Sequence, residues 1–275
     1  MTRELLPGLR LERPIVQATI GACDSPKLAA AVSGAGGLGS LGLHAPSLEL
    51  AEHRLCALPA LTVRPVLLAF TGPWEPESIL DLCLERGHRH FHVFWWNAAR
   101  LIPRIHAAGG YALQQVGTLA QAGEALERGA DGLIAQATGA GGPVRSPVPL
   151  DALVPQLREK LGPNFPLVAG GGLATRQGVE AVLALGADAA LLGTRFLLST
   201  EARAPLADKR RLIRASPNDL ILDTRLVGDW PCSPRRRLKI RSGRDGASLY
   251  AGVGLGEINE ILPAREIVER LAPKT

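Results

Sequence analysis

Aromatic residues are scarce, at 4% of the chain, and none falls within the basic stretch Arg235-Arg236-Arg237-Leu238-Lys239-Ile240-Arg241. Nucleic-acid surfaces interleave basic side chains with rings on which bases stack, so this run reads as a solvated face and nucleic acid is not expected as a partner. The net charge of +5 is mild for 275 residues. Cysteine is equally thin: Cys23, Cys56, Cys83 and Cys232 lie far apart, with no C-x-x-C pair and no histidine at ligand spacing. That argues against a metal site or disulfide framework and leaves buried free thiols. Long hydrophobic runs are also missing. The apolar stretch around Val179 to Leu192 is broken by Glu180 and Asp188, and the opening Met1-Thr2-Arg3-Glu4-Leu5-Leu6-Pro7 has no signal-peptide core. The expectation is a cytoplasmic protein without a membrane partner. Glycine (31) and proline (21) are spread along the chain, which excludes a low-complexity tract.

What the chain does have is a regular series of short apolar runs bounded by turn residues. Eight can be read as strands: Pro14 to Ala18, Leu38 to Leu41, Arg64 to Phe70, His90 to Trp95, Tyr111 to Val116, Asp131 to Gln136, Pro166 to Gly170 and Asp188 to Leu192. Helix-period segments separate them, with Ser25-Pro26, Thr118 and Thr175 where N-caps are wanted. The first helix runs from about Ser25 to Ser33, capped by Gly34 and preceded by Asp24, which reads as part of its N-cap. Such alternation implies a parallel sheet, and eight units of this size imply an α/β protein of the (β/α)8 TIM-barrel class. A doubly wound open sheet is the alternative. It is set aside because Gly34-Ala35-Gly36-Gly37-Leu38-Gly39 precedes a strand, whereas a dinucleotide fingerprint opens a helix. One domain over residues 1–275 is expected, with the barrel over about 14–200 and a short helix-rich C-terminal extension over about 201–275. In that extension Leu249-Tyr250-Ala251-Gly252-Val253-Gly254-Leu255-Gly256 reads as a loop passing close to something, before a last helix at Ala264 to Leu271.

Two glycine turns then acquire a location. Val168-Ala169-Gly170-Gly171-Gly172 ends strand 7 and Leu191-Leu192-Gly193-Thr194 ends strand 8. Without a Cβ, the backbone can bring N–H groups close to an anion, and in a barrel these two loops are where a cofactor phosphate is usually held.

Taken in order, Pro14-Ile15-Val16-Gln17-Ala18, the segment from Leu28 to Gly42, the two glycine turns, Leu249-Tyr250-Ala251-Gly252 and Pro263-Ala264-Arg265-Glu266-Ile267-Val268 resemble the nitronate monooxygenase family, formerly called 2-nitropropane dioxygenases. The pieces are weak singly and specific as a set. The resemblance implies a TIM barrel with non-covalent FMN at its C-terminal face. The same family includes FMN-dependent enoyl-acyl-carrier-protein reductases and NADH:quinone reductases. Carried over by motif, Gly171, Gly172, Gly193 and Thr194 would meet the FMN phosphate. Gln136 would offer its amide to the flavin's polar edge, Gly141 would let the following loop approach it, and Ala18-Thr19-Ile20 would line the ring. Taken alone, Gln136 reads equally as a satisfied amide at a strand end.

Three departures stand out. The family loop Gly-x-Glu-Ala-Gly-Gly-His is here Ala137-Thr138-Gly139-Ala140-Gly141-Gly142-Pro143, so Pro143 occupies the place of the histidine that serves as candidate base in nitronate oxidation. Ala69 stands where an asparagine is common, and Val253 where glutamine is common. Proline cannot take a proton, which implies poor turnover of simple nitroalkanes. His44, beyond strand 2, is a weak candidate to replace that base, while His92 lies within its strand and reads as structural. One of the adjacent pair Trp95 and Trp96 would face the cavity, since strand side chains alternate, or both would pack against helices or a partner subunit. The resulting expectation is an FMN-dependent oxidoreductase acting on a small molecule, with altered or weakened nitronate oxidation. An NAD(P)H-dependent reductase of a quinone or enoyl group and a non-catalytic flavin-binding protein remain as alternatives, and a homodimer stays open.

Overall fold

A computed structural model describes residues 3–43, 47–70, 77–94, 98–224, 234–239 and 249–274. Its eight apolar segments pair as a parallel sheet: β1 (Ile15–Gln17), β2 (Gly39–Gly42), β3 (Val66–Phe70), β4 (His90–Val93), β5 (Tyr111–Val116), β6 (Gly132–Gln136), β7 (Leu167–Gly170) and β8 (Ala189–Leu192). The spatial order β1-β8-β7-β6-β5-β4-β3-β2 is sequence order wrapped into a ring. Closure between β1 and β2 is by a bridge, not a full ladder: Gln17 N–H donates to the Leu38 carbonyl and Leu38 N–H to the Ile15 carbonyl, both at 2.9 Å. The expected TIM barrel is therefore present, with each strand within two residues of its sequence-derived bounds except at Trp95, which lies outside the described residues.

Helices α1 (Pro26–Gly34), α2 (Leu48–Leu61), α3 (Glu77–Glu85), α4 (Ala98–Ala107), α5 (Leu119–Glu127), α6 (Leu150–Leu161) and α7 (Arg176–Ala184) alternate with the strands. The hydroxyls of Ser25, Thr118 and Thr175 accept from the backbone N–H three residues on, as their sequence positions require. Outward-facing Leu41, Leu68, Phe70, Phe91, Val93, Leu133 and Leu167 join the inner faces of these helices in one buried layer. Gly39 sets how closely α1 can lie, because a Cβ there would sit 1.9 Å from the Ala29 carbonyl oxygen.

An N-terminal hairpin, Arg3–Leu6 with Leu9–Leu11, was not legible in the sequence. Its Leu5, Leu6, Leu9 and Leu11 pack with inward-facing Val16, Leu38, Leu67, Leu113, Ile134, Val168 and Ala189, so it plugs the end of the barrel where the strands begin. The opposite, C-terminal mouth is the end at which barrels of this class carry their chemistry.

Beyond β8 the chain is helix-rich, as expected, and also carries short strands. Helices α8 (Thr194–Leu197), α9 (Leu206–Ile213) and α10 (Ala264–Leu271) are present, but Leu220–Asp223, Arg235–Leu238 and Gly142–Pro143 also form a small antiparallel sheet. Over Arg235–Leu238 the basic run is consequently no solvated face. Arg235 and Arg237 are buried, and Arg237 forms an ion pair with Asp223 at 2.6 Å. The partner that neutralises Arg237 lies 14 residues upstream, so the run looks unpaired when read locally. The thiols also diverge from expectation: Cys83 is buried, Cys23 is half-buried and Cys56 is exposed, while Cys232 lies outside the described residues. Among the described residues no helix is long and apolar enough to cross a membrane, and no group of side chains is arranged to hold a metal.

Replacing Gly39 with alanine should force α1 away from β2 and destabilise the protein by about 3 kcal/mol. A urea-denaturation midpoint equal to wild type would show that the helix does not seat on β2 in this way.

Candidate functional site

Side chains alternate along a strand, so two residues beyond each interior core residue the same side is presented again, one step nearer the mouth. This step carries Ala18 beyond Val16, Ala69 beyond Leu67, Gln115 beyond Leu113, Gln136 beyond Ile134 and Gly170 beyond Val168. His92 joins them in register between Ala69 and Leu113. The floor of the mouth is thus small and apolar towards β1, β3 and β7 and polar towards β4 to β6. His92 is buried and donates Nε2–H to Gln115 Oε1 at 3.1 Å. Burial pulls its pKa down to about 4, against the opposing effect of the Gln115 bond, so the imidazole is neutral near pH 7. This agrees with its structural reading.

Above the floor, three backbone segments meet almost without side chains. A Cβ on Gly141 would lie 2.6 Å from the Ala251 carbonyl carbon, and one on Gly254 2.2 Å from the Gly172 carbonyl oxygen. Gly139 accepts from Val253 N–H at 3.0 Å, and the Thr194 hydroxyl accepts from Gly252 N–H at 2.9 Å. The glycine-rich octet therefore does pass close to something: the loop after β6 and the turns after β7 and β8. Gly141 is required for that approach between loops.

Gly171 (φ +145°) and Gly172 (φ +94°) adopt backbone conformations that disfavour side chains, and a Cβ on Gly172 would strike Val253 Cγ2 at 2.6 Å. The register of Gly170 with Leu191 makes the two turns neighbours. Ala18 joins the corner, since a Cβ on Gly193 would be 3.6 Å from its own Cβ. Among the described residues, the N–H groups of Gly171, Gly172 and Gly193 donate to no protein acceptor. Unengaged amides in two adjoining glycine turns suit an anion such as a phosphate.

Other sequence-derived positions fall around this corner. Gln136 is buried, with Nε2 donating to the Pro143 carbonyl at 2.8 Å and Oε1 accepting from Arg145 N–H at 3.4 Å, so its amide braces the loop after β6. Pro143 is held in the small sheet opposite Arg235. Ala18, Thr19 and Ile20 are half-buried at the mouth. His44, Trp95 and Trp96 lie outside the described residues.

Two contributors were missed or misread in the sequence. Arg236 donates to the Thr138 carbonyl at 2.9 Å and the Ala140 carbonyl at 3.2 Å, tying the small sheet to the loop after β6. Asp24 is not the α1 N-cap; Ser25 is. Asp24 is instead fully buried, with Oδ1 accepting from Ile20 N–H at 2.9 Å and Oδ2 from Gly42 N–H at 3.2 Å. Burial raises its pKa to about 7, opposed by those two N–H donors and by the Arg54 guanidinium. Its place after a glycine-containing turn was visible in the sequence, whereas its partners on β2 were not.

These features define a TIM barrel with a glycine-lined corner formed by the turns after β7 and β8 and the C-terminal segment. A sequence model of the nitronate monooxygenase family matches residues 87–231. Nitronate monooxygenase of Neurospora crassa is 31% identical, over 76% of this chain and 66% of its own. The chain belongs to the nitronate monooxygenase family. It is also similar to the (3aS,4S,5R,7aS)-5-hydroxy-7a-methyl-1-oxo-octahydro-1H-indene-4-carboxyl-CoA dehydrogenase of Mycobacterium tuberculosis, at 29% identity over 79% of this chain and 62% of that enzyme. The chain thus spans less than two thirds of the length of both relatives. Among solved structures, FabK from Thermotoga maritima superposes with a TM-score of 0.86 at 26% identity, covering 95% of this chain and 92% of that one.

Because Asp24 binds its proton more tightly folded than at its ordinary value of 3.8, its contribution to stability is complete below about pH 4 and is lost as the pH rises to about 7. Urea midpoints measured across that range should fall more steeply for wild type than for Asp24→Asn. Parallel curves would contradict the buried carboxyl.

Proposed function

We propose that this protein is an FMN-dependent oxidoreductase in which the corner formed by Gly171, Gly172, Gly193 and Thr194 receives the cofactor phosphate. The observation that carries this reading is the pair of adjoining turns with unengaged amides, within a chain of the nitronate monooxygenase family. FMN supplies the redox chemistry by taking up and passing on electrons. The protein's own part is to anchor and orient. Glycine N–H groups would donate to the phosphate and Ala18-Thr19-Ile20 would line the ring, while Gln136 fixes the shape of the loop after β6.

Pro143 favours a reaction that needs no base at that position. It has no titratable group, its carbonyl accepts from Gln136, and it pairs with Arg235 in a strand. A positioned base contributes roughly 10²- to 10⁴-fold, so oxidation of simple nitronates should be slow. Hydride delivery from a nicotinamide to the flavin needs no protein base. A reductase acting on a quinone or enoyl group is therefore the second reading, and one relative is named as a carboxyl-CoA dehydrogenase. An inert flavin-binding protein is the third.

Anaerobic mixing separates them. The purified protein should carry or take up FMN, and its visible absorbance should bleach with NADH or with a nitronate. Failure to bind FMN overturns the cofactor assignment, and binding without bleaching by either donor leaves the inert binder. In the same assay Pro143→His should raise nitronate oxidation by roughly 10²-fold. No gain between pH 6 and 9 would place the limitation in the pocket and not in the missing base.

A further inference from the structure

The barrel has one irregular seam. Between β1 and β2 the regular parallel ladder would continue from Leu38 N–H on the Ile15 carbonyl and Gln17 N–H on the Leu38 carbonyl to Ser40 N–H on the Gln17 carbonyl. That next bond is replaced. Ser40 N–H donates at 3.0 Å to the side-chain Oε1 of Gln17, and Gly42 N–H donates to Asp24 Oδ2. Gln17 Nε2 turns back to the Ala18 carbonyl at 3.0 Å and to Asp24 Oδ1 at 3.3 Å, while that same Oδ1 receives Ile20 N–H. Arg54 completes the cluster by donating Nη1 to the Gly42 carbonyl at 2.9 Å. Gln17 and Asp24 are both fully buried.

Two side chains thus stand in for a strand's backbone where Ala18-Thr19-Ile20 leaves the barrel. The substitution has a geometric consequence. A continued ladder would keep residues 18–20 flat against β2, whereas an intervening amide and carboxylate push them outward and fix the Ala18 carbonyl and Ile20 N–H in place. We propose that Gln17 and Asp24 are positioning residues, a side-chain seam that replaces the β1–β2 ladder and holds Ala18-Thr19-Ile20 in the shape that receives the flavin ring. The role in cofactor binding rests on the FMN reading above; the seam itself does not.

Asp188 provides an internal control. It is a buried carboxylate that also clamps strands, with Oδ2 accepting from Leu167 N–H at 2.8 Å and from Arg158 at 3.3 Å, but at the end of the barrel where β7 and β8 begin. A merely structural clamp would behave as it does.

The test compares wild type with Asp24→Asn, Gln17→Met, the double variant and Asp188→Asn. FMN affinity is read by fluorescence quenching, the bound flavin by its visible spectrum, and the backbone by hydrogen exchange without FMN. Each seam variant should bind FMN about tenfold more weakly, as expected for a buried donor left unpaired. Each should also shift the bound-flavin absorbance and speed exchange at residues 18–22 and 40–42. The double variant should be no worse than the poorer single, because both break one network. Asp188→Asn should lower the urea midpoint without moving affinity or spectrum. Seam variants that bind FMN as wild type does, with an unshifted spectrum, overturn the proposal, as does an equal loss in Asp188→Asn. If wild type takes up no FMN, the cofactor reading fails separately, and unchanged exchange at Ile20 and Gly42 then overturns the seam as well.

Discussion

Backbone meeting backbone, with no room for a Cβ, is the constraint on which this structure depends. At the barrel mouth the loop after β6, the turn after β7 and the C-terminal segment approach through Gly139, Gly141, Gly172, Gly252 and Gly254, where an added methyl would lie between 2.2 and 2.8 Å from another group. A methyl at that distance from backbone cannot be absorbed by rotating a flexible side chain, and at Gly172 the positive φ disfavours any side chain. The chain after β8 can therefore fold back over the mouth only because these positions are glycine. Once it does, Thr194 and Gly139 engage it by hydrogen bonds, and the amides of Gly171, Gly172 and Gly193 are left without a protein acceptor among the described residues.

The rest of the mouth follows from how other segments accommodate that corner. The small sheet brings Arg236 over the loop after β6, where it occupies two carbonyls that would otherwise lack donors. Pro143 becomes part of the same sheet, which ties the loop after β6 to the fold of the extension. On the far side of Ala18, the ladder gives way to Gln17 and Asp24. The corner and the seam flank one short segment, residues 18–20, from opposite sides.

How much of this was legible depended on whether the causal partner lay nearby in sequence. The eight strands and their caps were readable because alternation, Ser25, Thr118 and Thr175 act within a few residues. The glycine turns were readable because eight strands could be counted. The hairpin at Arg3–Leu11 escaped because its four leucines find their partners only inside the closed barrel. The arginine run was misread because Asp223 and the loop after β6, which hold Arg237 and Arg236, are remote from it. Asp24 was misread for the same reason: beside Ser25 it looks like a cap, and only the return of β2 supplies Gly42. The pairing of Pro143 with Arg235 spans 92 positions and has no local signature.

The central claim is that the two adjoining glycine turns hold a flavin phosphate. A crystal structure of the protein soaked with FMN tests it most directly. The account predicts phosphate oxygens within hydrogen-bond distance of the N–H groups of Gly171, Gly172, Gly193 or Thr194, with the ring over Ala18-Thr19-Ile20. Density for the phosphate elsewhere on the barrel, or none at saturating FMN, would contradict it.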